Sequence, residues 1–198
     1  FSSKQELDNN LVRWKNSLSI SSDRLEHVNT AVSRIRKCIE NRDSALNLSG
    51  LKLPSLPSDV LENIRSLREL DISDSTFSHV DASIFERLET LTAKNTALKS
   101  LDLSRCLSLR NIHLQGSQEL RNLTFPPRPI ALRELNLDLS GIRWKDLPRE
   151  VKNGPGIYID VSKLTFPVTT VATLAVGFAA GIAATAYCNG AFSEEKLA

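Results

Sequence analysis

The sequence predicts an α/β fold: a solenoid of short strands with a helical cap at its N-terminus and an apolar helix at its C-terminus. Three features of its 198 residues predict this. The spacing LxxLxLxx(S/T) recurs between residues 43 and 140, an amphipathic stretch precedes it, and an uncharged apolar stretch of 21 residues follows it.

Between Ser22 and Asn41, Leu25, Val28, Val32, Ile35 and Ile39 recur at spacings of three and four, which sets them on one face of a helix. Arg24, Arg34, Arg36, Lys37 and Glu40 fall on the opposite face and read as solvated charge. Asp23 and Glu26 have the spacing of a capping box, in which each carboxylate satisfies a free amide of the first turn. Leu7, Leu11, Trp14 and Leu18 give a shorter amphipathic helix ahead of it. The two make a hairpin whose apolar faces need a partner, and the open end of the solenoid supplies one. This cap is assigned to residues 1–42.

The strands read as Leu46 and Leu48, then Leu67, Leu70 and Ile72, then Leu88, Leu91 and Ala93, then Leu109, Ile112 and Leu114, then Leu132, Leu135 and Leu137. The units start at 43, 67, 88, 109 and 132, so they are 24, 21, 21 and 23 residues long. These lengths fall within the roughly 20–29 residues of leucine-rich repeats. Leucines at alternate positions point into the core and the residues between them point to the concave face. Irregular returns such as Leu53 with Leu56, Phe77 with Val80, and Leu98 with Leu101 and Leu103 close the convex side. Ser75, Thr96, Ser117 and Ser140 end the units with small hydroxyls that can bond the turn backbone, a structural ladder and not a set of nucleophiles. Gly154, Pro155 and Gly156 lead into Ile157, Ile159 and Val161, which alternate as a sixth strand, and the repeats are assigned to residues 43–163.

A solenoid buries a narrow core and leaves its concave sheet for binding other macromolecules. The column between the central core positions reads Asn47, Asp71, Thr92, His113, Asn136 and Tyr158, flanked by Glu69, Asp74, Lys94, Gln115, Glu134 and Asp138. Of these, Asn47, Asp71, Asp74, Thr92, Lys94, His113, Gln115, Asn136, Asp138 and Tyr158 are the candidate partner-binding residues. The surface is polar and tends acidic, which suits a basic or mixed protein surface better than phosphate. His113 has no second His or Cys at ligand spacing, so no metal is assigned.

Residues 164–198 hold the apolar tail. Val168–Cys188 carries no charge and has about the length of a bilayer-spanning helix. Gly177 and Gly181 form a GxxxG, which lets a second helix approach closely in a membrane. Arg149, Lys152 and Lys163 precede the stretch and Glu194 and Glu195 follow it, an arrangement that keeps the repeats cytosolic. Its Ala, Thr and Gly content equally fits a helix buried as a cap, so two readings stand: membrane insertion through 168–188, or a structural cap.

With 25 basic and 23 acidic residues the net charge is +2, which gives no electrostatic footprint for nucleic acid. Cys38, Cys106 and Cys188 match neither a disulfide framework nor metal spacing, and neither Cys106 nor Cys188 has a recognisable base beside it. No enzyme activity and no cofactor are expected. The chain contains no Met and opens on Phe1, which predicts a piece of a longer polypeptide.

Trp14, the helix ending Arg34-Ile35-Arg36-Lys37-Cys38-Ile39-Glu40-Asn41, and the segment from Ala45 through Leu51-Lys52-Leu53-Pro54-Ser55-Leu56-Pro57 together resemble the entry to the repeats in leucine-rich-repeat effectors of bacterial type III secretion systems. That family includes the invasion-plasmid-antigen H group and similar proteins of plant pathogens. The likeness covers about residues 14–57, and the later repeats depart from it because they lack Leu-Pro-x-Leu-Pro returns. It implies secretion into a host cell, a cytosolic or membrane-associated location there, and engagement of a host protein by the repeats. Some members carry a separate ubiquitin-ligase domain, and nothing in this sequence matches it. Two alternatives stand beside this reading: a substrate-recognition piece of a larger enzyme such as a ubiquitin ligase, and a membrane-anchored repeat scaffold.

Overall fold

A computed structural model describes residues 4–18, 22–56, 58–128, 131–154 and 156–160. Helices α1 (Lys4–Ser17) and α2 (Ser22–Asn41) lead into eight strands of three residues each. These are β1 (Ala45–Asn47), β2 (Glu69–Asp71), β3 (Thr90–Thr92), β4 (Ser100–Asp102), β5 (Asn111–His113), β6 (Asn122–Thr124), β7 (Glu134–Asn136) and β8 (Tyr158–Asp160). One-turn helices α3 (Ser58–Leu61) and α4 (Arg149–Lys152) and three 3₁₀ turns fill parts of the returns. The main sheet is parallel throughout, in the order β1-β2-β3-β5-β7-β8.

The strands are short because the repeat itself ends them. Gly50, Asp74, Asn95, Gly116 and Leu139 occupy the same place, three residues beyond each strand's end, and all have positive φ (74°, 52°, 53°, 72° and 55°). Glycine, asparagine and aspartate tolerate that conformation; leucine does so at a cost. At the other end of the strands the backbone is stitched in the same way from repeat to repeat. The Ser44 carbonyl accepts from the amides of both Arg68 and Glu69, Arg68 serves Glu89 and Thr90, Glu89 serves Arg110 and Asn111, and Arg110 serves Arg133 and Glu134.

The core is the leucine pattern made solid. Leu70, Leu91, Ile112 and Leu135 stack in one row, Leu48, Ile72, Ala93, Leu114 and Leu137 in the next, and all are buried. Phe77 and Phe85 fill the space beneath them. Each fully buried side chain of this size is worth about 1.5–3 kcal/mol of hydrophobic stabilisation. The hydroxyl ladder sits inside this core: Ser75 Oγ donates to the Ile72 carbonyl (2.5 Å), and Ser117 Oγ donates to the Ala93 carbonyl (2.7 Å) and lies 2.8 Å from Thr96 Oγ1.

Not every return is irregular. β4 and β6 pair in parallel as a second, two-stranded sheet, because the repeats beginning at Leu88 and Leu109 place Leu101 and Leu123 in register and the Lys99 carbonyl accepts from both Arg121 and Asn122. The next return departs from this sheet into the 3₁₀ turn Trp144–Asp146. Gly141, at its start, lies so close to the repeat before it that an added Cβ would stand 2.2 Å from the Leu120 carbonyl oxygen.

The cap covers the first repeat. Leu7, Leu11 and Trp14 of α1 are buried, and α2 buries Val28, Ala31, Ile35 and Cys38. The buried stripe is therefore rotated from the expected one. Ala31 and Cys38 belong to it, Val32 and Ile39 are only partly buried, and Leu25 is exposed. Apolar size alone drew the stripe toward Leu25, while packing selects the smaller residues that let the helix come close. Arg34 donates from Nη1 to the carbonyls of Asn47 and Ser49 (3.2 Å each), so α2 covers the free edge of β1, where unpaired backbone would otherwise invite another chain. Asp8 pairs with Arg36 at 2.8 Å between the two helices, an exposed pair worth at most about 1 kcal/mol.

The capping-box side chain of Asp23, the apolar stretch 168–188 with Gly177 and Gly181, and Cys188 lie outside the described residues. Among the described residues no helix is long and apolar enough to cross a membrane.

Candidate protein-interaction face

Residues between the core leucines stand on the uncovered face of the main sheet because strand side chains alternate. In β1, β2, β3, β5 and β7 the central residue is buried and both neighbours are partly or fully exposed. Strict register lines these neighbours up. Asn47, Asp71, Thr92, His113 and Asn136 form one column, and Ala45, Glu69, Thr90, Asn111 and Glu134 form the other.

Tyr158 does not continue the first column. It pairs with Glu134, and Asp160 is the residue opposite Asn136. Ile159, not Ile157, takes the central core position, so the expected register of this last strand is off by two residues. The face of the sheet is unchanged by that shift, since the side-chain period is two. Lys94, Gln115 and Asp138 follow just beyond the strands, and Asp74 is the left-handed turn residue, its Oδ1 accepting from Asn95 Nδ2 (3.0 Å).

The column divides into residues that hold the sheet and residues that do not. The amides of Ser49, Ser73 and Asp138 donate to the side-chain oxygens of Asn47, Asp71 and Asn136 at 2.9, 2.9 and 3.1 Å. Each such turn closes the end of a strand. Asp102, in the second sheet, does the same with Ser104, and that amide holds its carboxyl below the usual carboxylate range. Asn136 Nδ2 also donates to Asp160 Oδ2 (3.0 Å). Thr92 and His113 make no such turn bond; His113 Nδ1 lies 3.7 Å from Glu134 Oε1. Gln115 and Asp138 occupy equivalent places in neighbouring repeats. Gln115 Oε1 and Asp138 Oδ1 are buried acceptors that meet no donor among the described residues.

Both described thiols face inward. Burial, aided by the charges of Asp102, Asp81 and Glu86, pushes the Cys106 thiol up to about 12, and its Sγ donates to the Ala82 carbonyl at 3.2 Å. Burial and Asp43 push Cys38 up to about 11. Cys106 is fully buried, deeper than a turn position suggests. A thiol held protonated in the core is not a nucleophile at neutral pH. Among the described residues no three His, Cys, Asp or Glu side chains are grouped to hold a metal ion.

No protein-family model matches the sequence, and no curated protein matches it. Solved structures do match the fold. The leucine-rich-repeat domain of the type III effector XopL superposes with a TM-score of 0.62 at 20% identity, over 81% of this chain and 58% of that one. A Shigella effector leucine-rich-repeat domain gives 0.63 at 19% identity, over 83% of this chain and 70% of that one. The fold is the leucine-rich-repeat fold, shared with these two effector domains. The chain spans less than two thirds of the length of the XopL domain.

Asp160 was legible in principle, since Asn or Asp at this place recurs at Asn47, Asp71 and Asn136; the glycines around Pro155 blur the count into the last repeat. A cluster of arginines at the opposite ends of the strands was less legible, because Arg110 and Arg133 directly precede β5 and β7 while Arg128 lies in the return between them.

Proposed function

We propose that this repeat domain is the protein-recognition module of a secreted bacterial effector, and that it docks a host protein on the concave face of its main sheet. The observation that carries this reading is the in-register column of Asn47, Asp71, Thr92, His113 and Asn136, which stands on the uncovered face of the sheet. Glu69, Asp71, Glu134, Asp138 and Asp160 stand on or beside the face against the single Lys94, so a basic protein surface is the complementary one. The likeness to effector repeat domains supports secretion into a host cell as the setting.

No enzymatic step is assigned to the domain, since its described thiols are buried and protonated. Asp71 and Asn136 tie strand ends, so the test uses Thr92 and His113. The double variant Thr92→Arg/His113→Arg should lose a protein that the unaltered chain captures from eukaryotic cell extract, and Asn122→Arg on the second sheet should keep it. Capture that survives the first and fails with the second moves the interface to the convex side.

A further inference from the structure

We infer that a second recognition site, for an acidic peptide segment, lies at the end of the main sheet where its strands begin. The residue before each strand is Ser44, Arg68, Glu89, Arg110, Arg133 and Ile157 in turn. Backbone hydrogen bonds link these places from one repeat to the next, so their side chains are neighbours on adjacent strands, about 4.8 Å apart. Glu89 separates two arginines, pairing with Arg68 at 2.7 Å and approaching Arg110 at 3.8 Å. After Arg110 the alternation stops and Arg133 follows directly.

These two arginines wall a depression of about 480 Å³ together with Arg128, Ala131 and Leu107. Leu107 is 65% exposed, the most exposed of the large apolar side chains among the described residues. Arg128 forms no ion pair with any described carboxylate within 4 Å. Arg110 and Arg128 flank an exposed leucine, with Arg133 beside them donating from Nη1 to the Leu132 carbonyl at 3.2 Å, and this arrangement matches a segment that offers carboxylates flanking one apolar side chain. Arginine binds carboxylates by paired, planar hydrogen bonds, and the leucine supplies apolar contact that a bare anion cannot use. The site is separate from the concave face and does not depend on it: its charge is of the opposite sign and its residues lie in other columns.

The test is fluorescence anisotropy on the full chain with a labelled peptide of aspartates and glutamates around one leucine. Saturable binding is expected, weakened at least tenfold by Arg110→Glu/Arg128→Glu and several-fold by Leu107→Ser. It should be unchanged by Arg65→Glu on the exposed surface and by Thr92→Arg/His113→Arg on the concave face. Circular dichroism checks that each variant is folded. Three results would overturn the site: no saturable binding, equal loss with Arg65→Glu, or stronger binding of a single-stranded oligonucleotide of equal charge that displaces the peptide.

Discussion

Ser117 Oγ lies 2.8 Å from Thr96 Oγ1 and 2.7 Å from the Ala93 carbonyl, and it accepts from the Thr96 amide at 3.1 Å, all inside the core between two repeats. One hydroxyl thus satisfies three polar groups that water does not reach.

Ser117→Ala should therefore cost about 1–3 kcal/mol, because it leaves buried partners unsatisfied. Ser140→Ala should cost less, since Ser140 is only half-buried and serves one amide, that of Ile142, at 3.3 Å. Urea unfolding of the two variants side by side measures the difference.

Leu139 has φ 55° where the other repeats place glycine, aspartate or asparagine, and it is 45% exposed. Leu139→Asn relieves the left-handed strain and removes little packing. It should raise stability by up to about 1 kcal/mol. A lower melting temperature in the variant would show that Leu139 packs more than its exposure implies.

Gly141→Ala drives a methyl group against the Leu120 carbonyl, which is backbone and cannot swing away. A loss of about 1–3 kcal/mol is expected, the range for overpacking. Gly50→Ala, with open space around it but φ 74°, should cost strain alone. Thermal unfolding separates the two cases.

The leucine rows, the position of α2 and the outward column from Asn47 to Asn136 were all legible, because a period of 21–24 residues superimposes each unit on the next. Less was visible where the local pattern is shared between structures. Leu98, Leu101 and Leu103 read as an irregular return, and only pairing with the repeat after them makes β4 and β6. On α2 the same ambiguity concerns which of two adjacent stripes is buried, and contact with β1 decides for Ala31 and Cys38 over Leu25. The arginine depression joins Leu107 and Arg110 to Arg128, Ala131 and Arg133 of the next return, and only Arg110 and Arg133 share a repeat position that spacing records.

The buried thiols predict an alkaline limb in stability. Cys106 is raised from 9.0 to about 12 and Cys38 from 9.0 to about 11. Above pH 9 the unfolded chain therefore releases protons that the folded chain retains, and stability falls as pH rises toward 11 and 12. Below 9 both thiols are protonated in both states and contribute no slope. Urea midpoints between pH 8 and 11 should decline, and Cys38→Ala/Cys106→Ala should flatten the decline. A thiol reagent at pH 8 should label these two residues only as fast as the domain opens.

Hydrogen–deuterium exchange on the chain alone and with its captured partner tests the docking face most directly. Protection confined to segments 69–74, 90–94, 111–115 and 134–138 is the predicted result. Protection instead of 100–102 and 122–124 on the second sheet, or of the exposed side of α2, would contradict it.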